Sequence, residues 1–160
     1  SSDVCSSDLA NDEYILGNLA YWVLDKKLKV IIKDAHTKAW YGFIVKGLGG
    51  IGIDRSQRNN LVKFVIDEFK KDDFSLVITP EGTRSWVPKW RKGFYNMAIE
   101  AKVPIVIAAG DFKNKTIHLG KQISVHDLET RSFESIMQEL EDYYKTITPK
   151  YPEKWNPKIY

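Results

Sequence analysis

Five consecutive residues carry the chemistry-bearing groups most densely in this chain: Glu81, Gly82, Thr83, Arg84 and Ser85, directly after Thr79-Pro80. They place a carboxylate, two hydroxyls and a guanidinium in one short stretch. The planar fork of Arg84 matches the oxygens of a phosphate, and Gly82 lets backbone approach a ligand closely. The run before them, Phe74-Ser75-Leu76-Val77-Ile78, follows Lys71-Asp72-Asp73 and reads as a buried strand. Pro80 cannot donate to a sheet ladder, so the strand must stop there. The five residues then fall in a loop at the carboxyl end of a strand, a common place for binding chemistry. A surface turn holding a Glu81–Arg84 ion pair is the alternative that the same residue types allow.

The elements that must position this loop follow from periodicity. The stretch 11–27 has Tyr14, Ile15, Leu16, Leu19, Trp22 and Val23 around much of a helical circumference, which predicts a helix buried on more than one side. Leu28 to Lys33 reads as a strand. Thr37 can cap a second helix with Trp40, Phe43, Ile44 and Leu48 at helical spacing, stopped by Gly49-Gly50. Ile51 to Arg55 is a short strand ending in charge, and 58–71 is a helix with Leu61, Val62, Val65, Ile66 and Phe69 as its stripe. After the loop come a helix over 93–102, a buried strand over 103–109 and a half-exposed strand over 115–119. A strongly amphipathic helix over 132–147 follows, with Phe133, Ile136, Met137, Leu140, Tyr144 and Ile147 on one face. Alternating strands and helices predict an α/β fold, one domain with a mostly parallel central sheet flanked by helices. The domain is expected over 10–147, with 148–160 as a tail packed on it.

Composition narrows the function classes. With 160 residues, 43% hydrophobic and 28% charged, the chain suits one folded domain rather than a disordered or membrane-spanning class. A formal net charge of +3 leans toward anionic partners and is too small to argue for nucleic acid. Cys5 alone allows no internal disulfide, so a reducing, cytoplasmic setting is expected. No apolar run reaches the ~18–20 residues needed to cross a bilayer. Residues 1–9 repeat Ser-Ser-Asp without any period or targeting logic. They resemble adapter read-through joined to a gene fragment, or else a disordered tail, and an N-terminal truncation near Ala10 is expected.

Four blocks in order now matter together. Gly50-Ile51-Gly52-Ile53-Asp54-Arg55, Pro80-Glu81-Gly82-Thr83-Arg84-Ser85 and Val103-Pro104-Ile105-Val106 resemble the second, third and fourth blocks of the glycerophospholipid acyltransferase family, of the 1-acylglycerol-3-phosphate acyltransferase type. The third block is a full match, and Arg91-Lys92-Gly93-Phe94 after it also resembles the family. The resemblance extends over about 11–144 and implies a glycerolphosphate acyltransferase-like fold. The family's first block is a His-x4-Asp pair. Here Asn11-Asp12-Glu13-Tyr14-Ile15-Leu16-Gly17 resembles the segment after that histidine, with Glu13 at the acidic position; the histidine would stand at position 8, which holds Asp8. His36, His118 and His126 are followed five residues on by Tyr41, Ile123 and Arg131, so none replaces it by spacing.

The resemblance implies transfer of an acyl chain from acyl-CoA or acyl carrier protein to a hydroxyl of lysophosphatidate or a similar phosphate-bearing glycerolipid, in phospholipid biosynthesis. A neutral histidine would take the hydroxyl's proton and a carboxylate would hold its tautomer, which assigns the latter role to Glu13. Glu13 as a helix N-terminal carboxylate is the plain alternative. Arg55 is assigned to the acceptor phosphate, against pairing with Asp54 or Glu68. Glu81 is assigned to accepting hydrogen bonds, and Thr83, Arg84 and Ser85 with Gly82 to the phosphate. The implied chemistry calls for no metal and no bound cofactor. The missing histidine keeps a second reading open, a catalytically empty phosphate- or lipid-binding module. Trp86-Val87-Pro88-Lys89-Trp90-Arg91-Lys92 interleaves aromatics and cations; it reads as a contact for an anionic membrane, as a nucleic-acid surface, or as a loop whose tryptophans are core. Basic charge and tryptophans alone support the nucleic-acid reading, so no nucleic acid is expected.

Overall fold

The structure is a computed structural model that describes residues 28–33, 37–53, 58–81 and 86–160. The chain forms two compact units, Ser1–Thr79 and Pro80–Tyr160.

In the first unit, strands β1 (Leu28–Lys33), β2 (Gly50–Ile53) and β3 (Ser75–Val77) form a sheet in the order β2-β1-β3, with both pairings parallel. Val30 to Lys33 lie opposite Gly50 to Ile53, and Leu28 to Val30 opposite Ser75 to Val77. Parallel neighbours need crossover connections. Helix α1 (Gly42–Gly47) lies in the first of these, and α2 (Arg58–Phe69) joins β2 to β3. The mixed α/β class and the parallel sheet expected from the sequence are therefore present. Gly49 closes the first crossover at φ +85°, and its carbonyl accepts from Val30 N–H at 2.9 Å. A Cβ on Gly49 would lie 2.0 Å from the Leu28 carbonyl oxygen, so only glycine fits there.

Packing in this unit centres on Val65 of α2, Ile31 of β1 and Phe74, all buried. The Phe74 ring stacks on Phe69 at 4.4 Å, and the Lys29 ammonium lies 4.0 Å from its centroid. Three expectations change. The strand expected over Phe74 to Ile78 is only three residues long, and Ser75 and Val77 are exposed while Leu76 between them is partly buried, the alternation of a strand with one face covered. Thr37 does not cap α1; Tyr41 occupies the cap position. The apolar stripe assigned to that helix does not form a buried face, since Trp40 is 87% and Phe43 72% exposed. The spacing from Trp40 to Leu48 needs a helix longer than the observed six residues, and α1 leaves both ends of the stripe outside it.

The second unit has helix α3 (Gly93–Ala101), strands β4 (Ile105–Asp111) and β5 (Thr116–Ile123), helices α4 (Val125–Thr130) and α5 (Phe133–Tyr144), and a 3-10 turn at Pro152–Lys154. Strand β4 was expected as a further buried strand of a mostly parallel sheet. It pairs instead with β5, antiparallel, in a separate two-stranded sheet. The physical reason lies in the connection. Only four residues separate the strands, enough for a hairpin and too few for a crossover. The Asp111 carboxylate fixes that turn by accepting from the backbone N–H groups of Lys113 and Asn114 and from the Asn114 amide, at 3.1, 3.1 and 2.7 Å.

Its core joins Ala98, Ile107, Ile123, Leu128, Ile136, Met137, Leu140 and Ile159. Each of its isoleucine, leucine and methionine side chains stabilises by about 1.5–3 kcal/mol on full burial. The amphipathic helix over 132–147 is present as α5, capped by Ser132, whose hydroxyl accepts from Ser135 N–H. Helix α4 was not expected. Its signal is a capping box: Ser124 Oγ accepts from Asp127 N–H, and the Asp127 carboxylate accepts from Ser124 N–H, both at 3.1 Å. Among the described residues no helix is long and apolar enough to cross a membrane.

Candidate active site

Glu81 is the one candidate site residue that lies within the described residues; Glu13, Arg55, Gly82, Thr83, Arg84 and Ser85 lie outside them, as do Asp8 and the helix expected over 11–27. Strand β3 ends at Val77, and the chain turns at Pro80 and Glu81. Proline at this point ends ladder pairing while its carbonyl remains an acceptor. That carbonyl takes a hydrogen bond from Arg91 N–H at 2.9 Å. The turn is thereby tied to the segment that leads into α3.

Glu81 is half-buried, and this burial pushes its carboxyl above the usual carboxylate range. Among the described residues no cation offsets that effect. A carboxyl in this state can accept a hydrogen bond from a substrate hydroxyl, or hold a proton at a pH where an exposed glutamate has lost it. Tyr144, on the last turn of α5, senses the same charge. Its hydroxyl is pushed up to about 12, first by burial, then by Tyr143 and by Glu81. Tyr144 therefore stays protonated and donates to the Ala108 carbonyl at 2.9 Å. Its ring meets Trp90 edge-to-face at 5.1 Å, and Trp90 meets Phe94 at 6.2 Å. In the sequence Tyr144 reads as one member of a helical stripe, with nothing to mark its neighbourhood to Glu81.

The aromatic and basic stretch after the loop divides. Trp90 packs against the core, whereas Trp86 is exposed, as are Lys89, Arg91 and Lys92. The Lys92 ammonium lies 4.2 Å from the Phe133 ring centroid. In the first unit, Thr79 Oγ1 is buried with no hydrogen-bond partner among the described residues. Glu68, one of the carboxylates considered for Arg55, is held by Lys71 at 2.8 Å and Lys29 at 3.6 Å. Among the described residues no group of His, Cys, Asp and Glu is arranged to hold a metal.

The family model described as Acyltransferase matches residues 11–109, more than half of the 160-residue chain. The chain belongs to the acyltransferase family. No curated protein and no solved structure matches it. Its reaction class is acyl transfer, and this acyltransferase carries Glu81, Trp90 and all but the last two residues of β4 inside the matched region. Strand β5, helices α4 and α5, and the C-terminal segment lie beyond it.

Proposed function

We propose that this acyltransferase, in the form that carries histidine at position 8, transfers an acyl group from acyl-CoA or acyl carrier protein to a phosphate-bearing glycerolipid such as lysophosphatidate, in phospholipid biosynthesis. The supporting observation is the unbroken Pro80-to-Ser85 block within the residues that the family model matches. In this reading Arg84 and Arg55 meet the acceptor phosphate, with Thr83, Ser85 and the Gly82 backbone beside them. Glu81 accepts a hydrogen bond from the glycerol part of the acceptor, and its desolvated carboxyl fits an enclosed role.

The chemistry is a displacement at a thioester carbonyl. The acceptor oxygen forms the new C–O bond, the C–S bond breaks, and the proton of the attacking hydroxyl ends on the departing thiol. The base that would move this proton is a histidine at position 8, where this chain has Asp8, with Glu13 holding its tautomer. The acyl donor is a substrate, and no bound cofactor enters the balance. Trp86, exposed beside Lys89, supports peripheral contact with an anionic membrane.

Asp8 favours a second reading, in which this chain binds the phosphate-bearing lipid without turning it over. Titration of the purified chain with lysophosphatidate addresses the part common to both. Binding is expected, and Arg84→Ala should weaken it about tenfold, the effect of losing a charge-assisted hydrogen bond, with little change in the melting temperature. Equal affinity of Arg84→Ala and the unaltered chain would overturn the phosphate assignment.

A further inference from the structure

The C-terminal segment lies outside the residues that define the family, yet it grips the stretch that holds the Pro80–Glu81 turn. Asn156 donates from its side-chain amide to the carbonyls of Val87 and Pro88, at 3.0 and 2.8 Å. Its own Oδ1 accepts from Lys158 N–H at 3.0 Å, which fixes the amide's orientation. Three residues on, the Ile159 carbonyl accepts from Trp90 N–H at 2.7 Å. The neighbouring Arg91 N–H then reaches the Pro80 carbonyl. The tail is itself anchored at Ile159. The Ile159 side chain is fully buried in the core, and Ile159 N–H donates to Glu141 on α5 at 3.1 Å. Glu141 is buried as well and is held by the Lys145 ammonium at 2.6 Å.

We propose that the segment from Asn156 to Ile159 is a positioning element for the active-site turn, acting through the backbone of 87–91 on Pro80 and so on Glu81. It touches no reacting atom. Its work is geometric: three hydrogen bonds from the segment and the buried Ile159 side chain fix a loop that has no regular ladder of its own, and the Arg91–Pro80 bond carries that position on to the turn. The sequential chain supports this, because Trp90 is clamped from two sides, by the tail at its backbone and by Tyr144 at its ring. The same tether keeps the turn against the half-buried surroundings that shift the Glu81 carboxyl. That Glu81 serves an acceptor lipid rests on the reading above; the tether does not.

The test follows the Glu81 carboxyl carbon by 13C NMR through a pH titration, its signal identified by its loss in Glu81→Gln. Asn156→Ala is expected to move the titration of Glu81 downward, toward that of an exposed glutamate, and to weaken lysophosphatidate binding about fivefold, as expected when hydrogen-bonded support is removed. Tyr160→Phe removes the tail's hydrogen bond to Gln138, which does not touch the loop, and should leave the Glu81 titration in place. An Asn156→Ala protein that melts lower but titrates at Glu81 like the parent would reduce the tail to a stability element and overturn the proposal. Amide hydrogen exchange on the unaltered chain provides a measurement independent of any variant's folding. Trp90, Arg91 and Ile159 amides should show protection within about threefold of one another, because one opening releases all three. Arg91 exchanging more than about tenfold faster than Ile159 would likewise contradict it. If the titration moves in Asn156→Ala while no lysophosphatidate binds even the unaltered chain, the tether stands and the proposed acceptor fails.

Discussion

Helix α5 and helix α1 are both amphipathic in sequence, and they end differently. In α5 the spacing of Ile136, Met137 and Leu140 becomes a fully buried face packed on Ile107, Ile123 and Ile159. In α1 the same kind of spacing leaves Phe43 and Ile44 exposed. The difference is length and capping. Twelve residues with a serine cap hold three turns in register, whereas six residues capped by Tyr41 without a side-chain bond cannot align a stripe that spans nine. Periodicity states which residues would share a face if the helix were long enough, and the caps decide whether it is.

Truncations test that contrast most strongly. Ile136→Ala removes a side chain with no exposed surface and should cost about 3 kcal/mol in a urea melt of the intact chain. At the other extreme, Phe43→Ala should change stability by less than about 0.5 kcal/mol. Equal costs for the two would mean that the α1 face is covered in solution.

Between these lies the tail anchor. Glu141→Ala leaves the Ile159 N–H without its acceptor in a buried place, which should cost about 2 kcal/mol at neutral pH. The sign with pH is fixed. The Lys145 ammonium, and then the Ile159 N–H, hold the Glu141 carboxyl below the usual glutamate range. Its contribution is therefore full above the ordinary glutamate pKa and is lost as pH falls through the lowered folded value. Melts of Glu141→Gln and the unaltered chain should converge in acid and separate toward neutrality.

Glu81 should show the reverse. Burial raises its carboxyl, so its favourable contribution is full below the ordinary glutamate pKa and is lost as pH rises through the raised folded value. Glu81→Gln should match the unaltered chain in acid and equal or exceed its stability at neutral pH. It should weaken lysophosphatidate binding several-fold all the same, since an amide oxygen accepts the acceptor's hydrogen bond less strongly than a carboxylate. A neutral-pH loss of stability in Glu81→Gln would show that the carboxylate is a structural partner and not a binding group.

The legible part of the fold was whatever depends on local pattern. Strand β1, the glycine stop after α1, the stripe of α2 and the Ser132-capped α5 follow from residue type and spacing. The pairing of β4 was not legible, because a buried-looking run states hydrophobicity and not partner; the short connection and the Asp111 turn decided it. Helix α4 was legible in principle from Ser124 and Asp127. For the site, the residue types pointed to the Pro80–Ser85 stretch, and the resemblance assigned roles within it. The surroundings of Glu81 could not be read, since Tyr144 lies more than sixty residues away in sequence and Asn156 and Ile159 meet the loop at its backbone groups, which leave no mark on the loop's side-chain pattern.

The most direct test of the central claim is acyl transfer by the chain carrying Asp8→His. With labelled acyl-CoA or acyl carrier protein and lysophosphatidate, that variant should form labelled phosphatidate, and the chain with Asp8 should bind the acceptor without turnover. A folded Asp8→His protein that transfers no acyl group from either donor to lysophosphatidate would contradict the account.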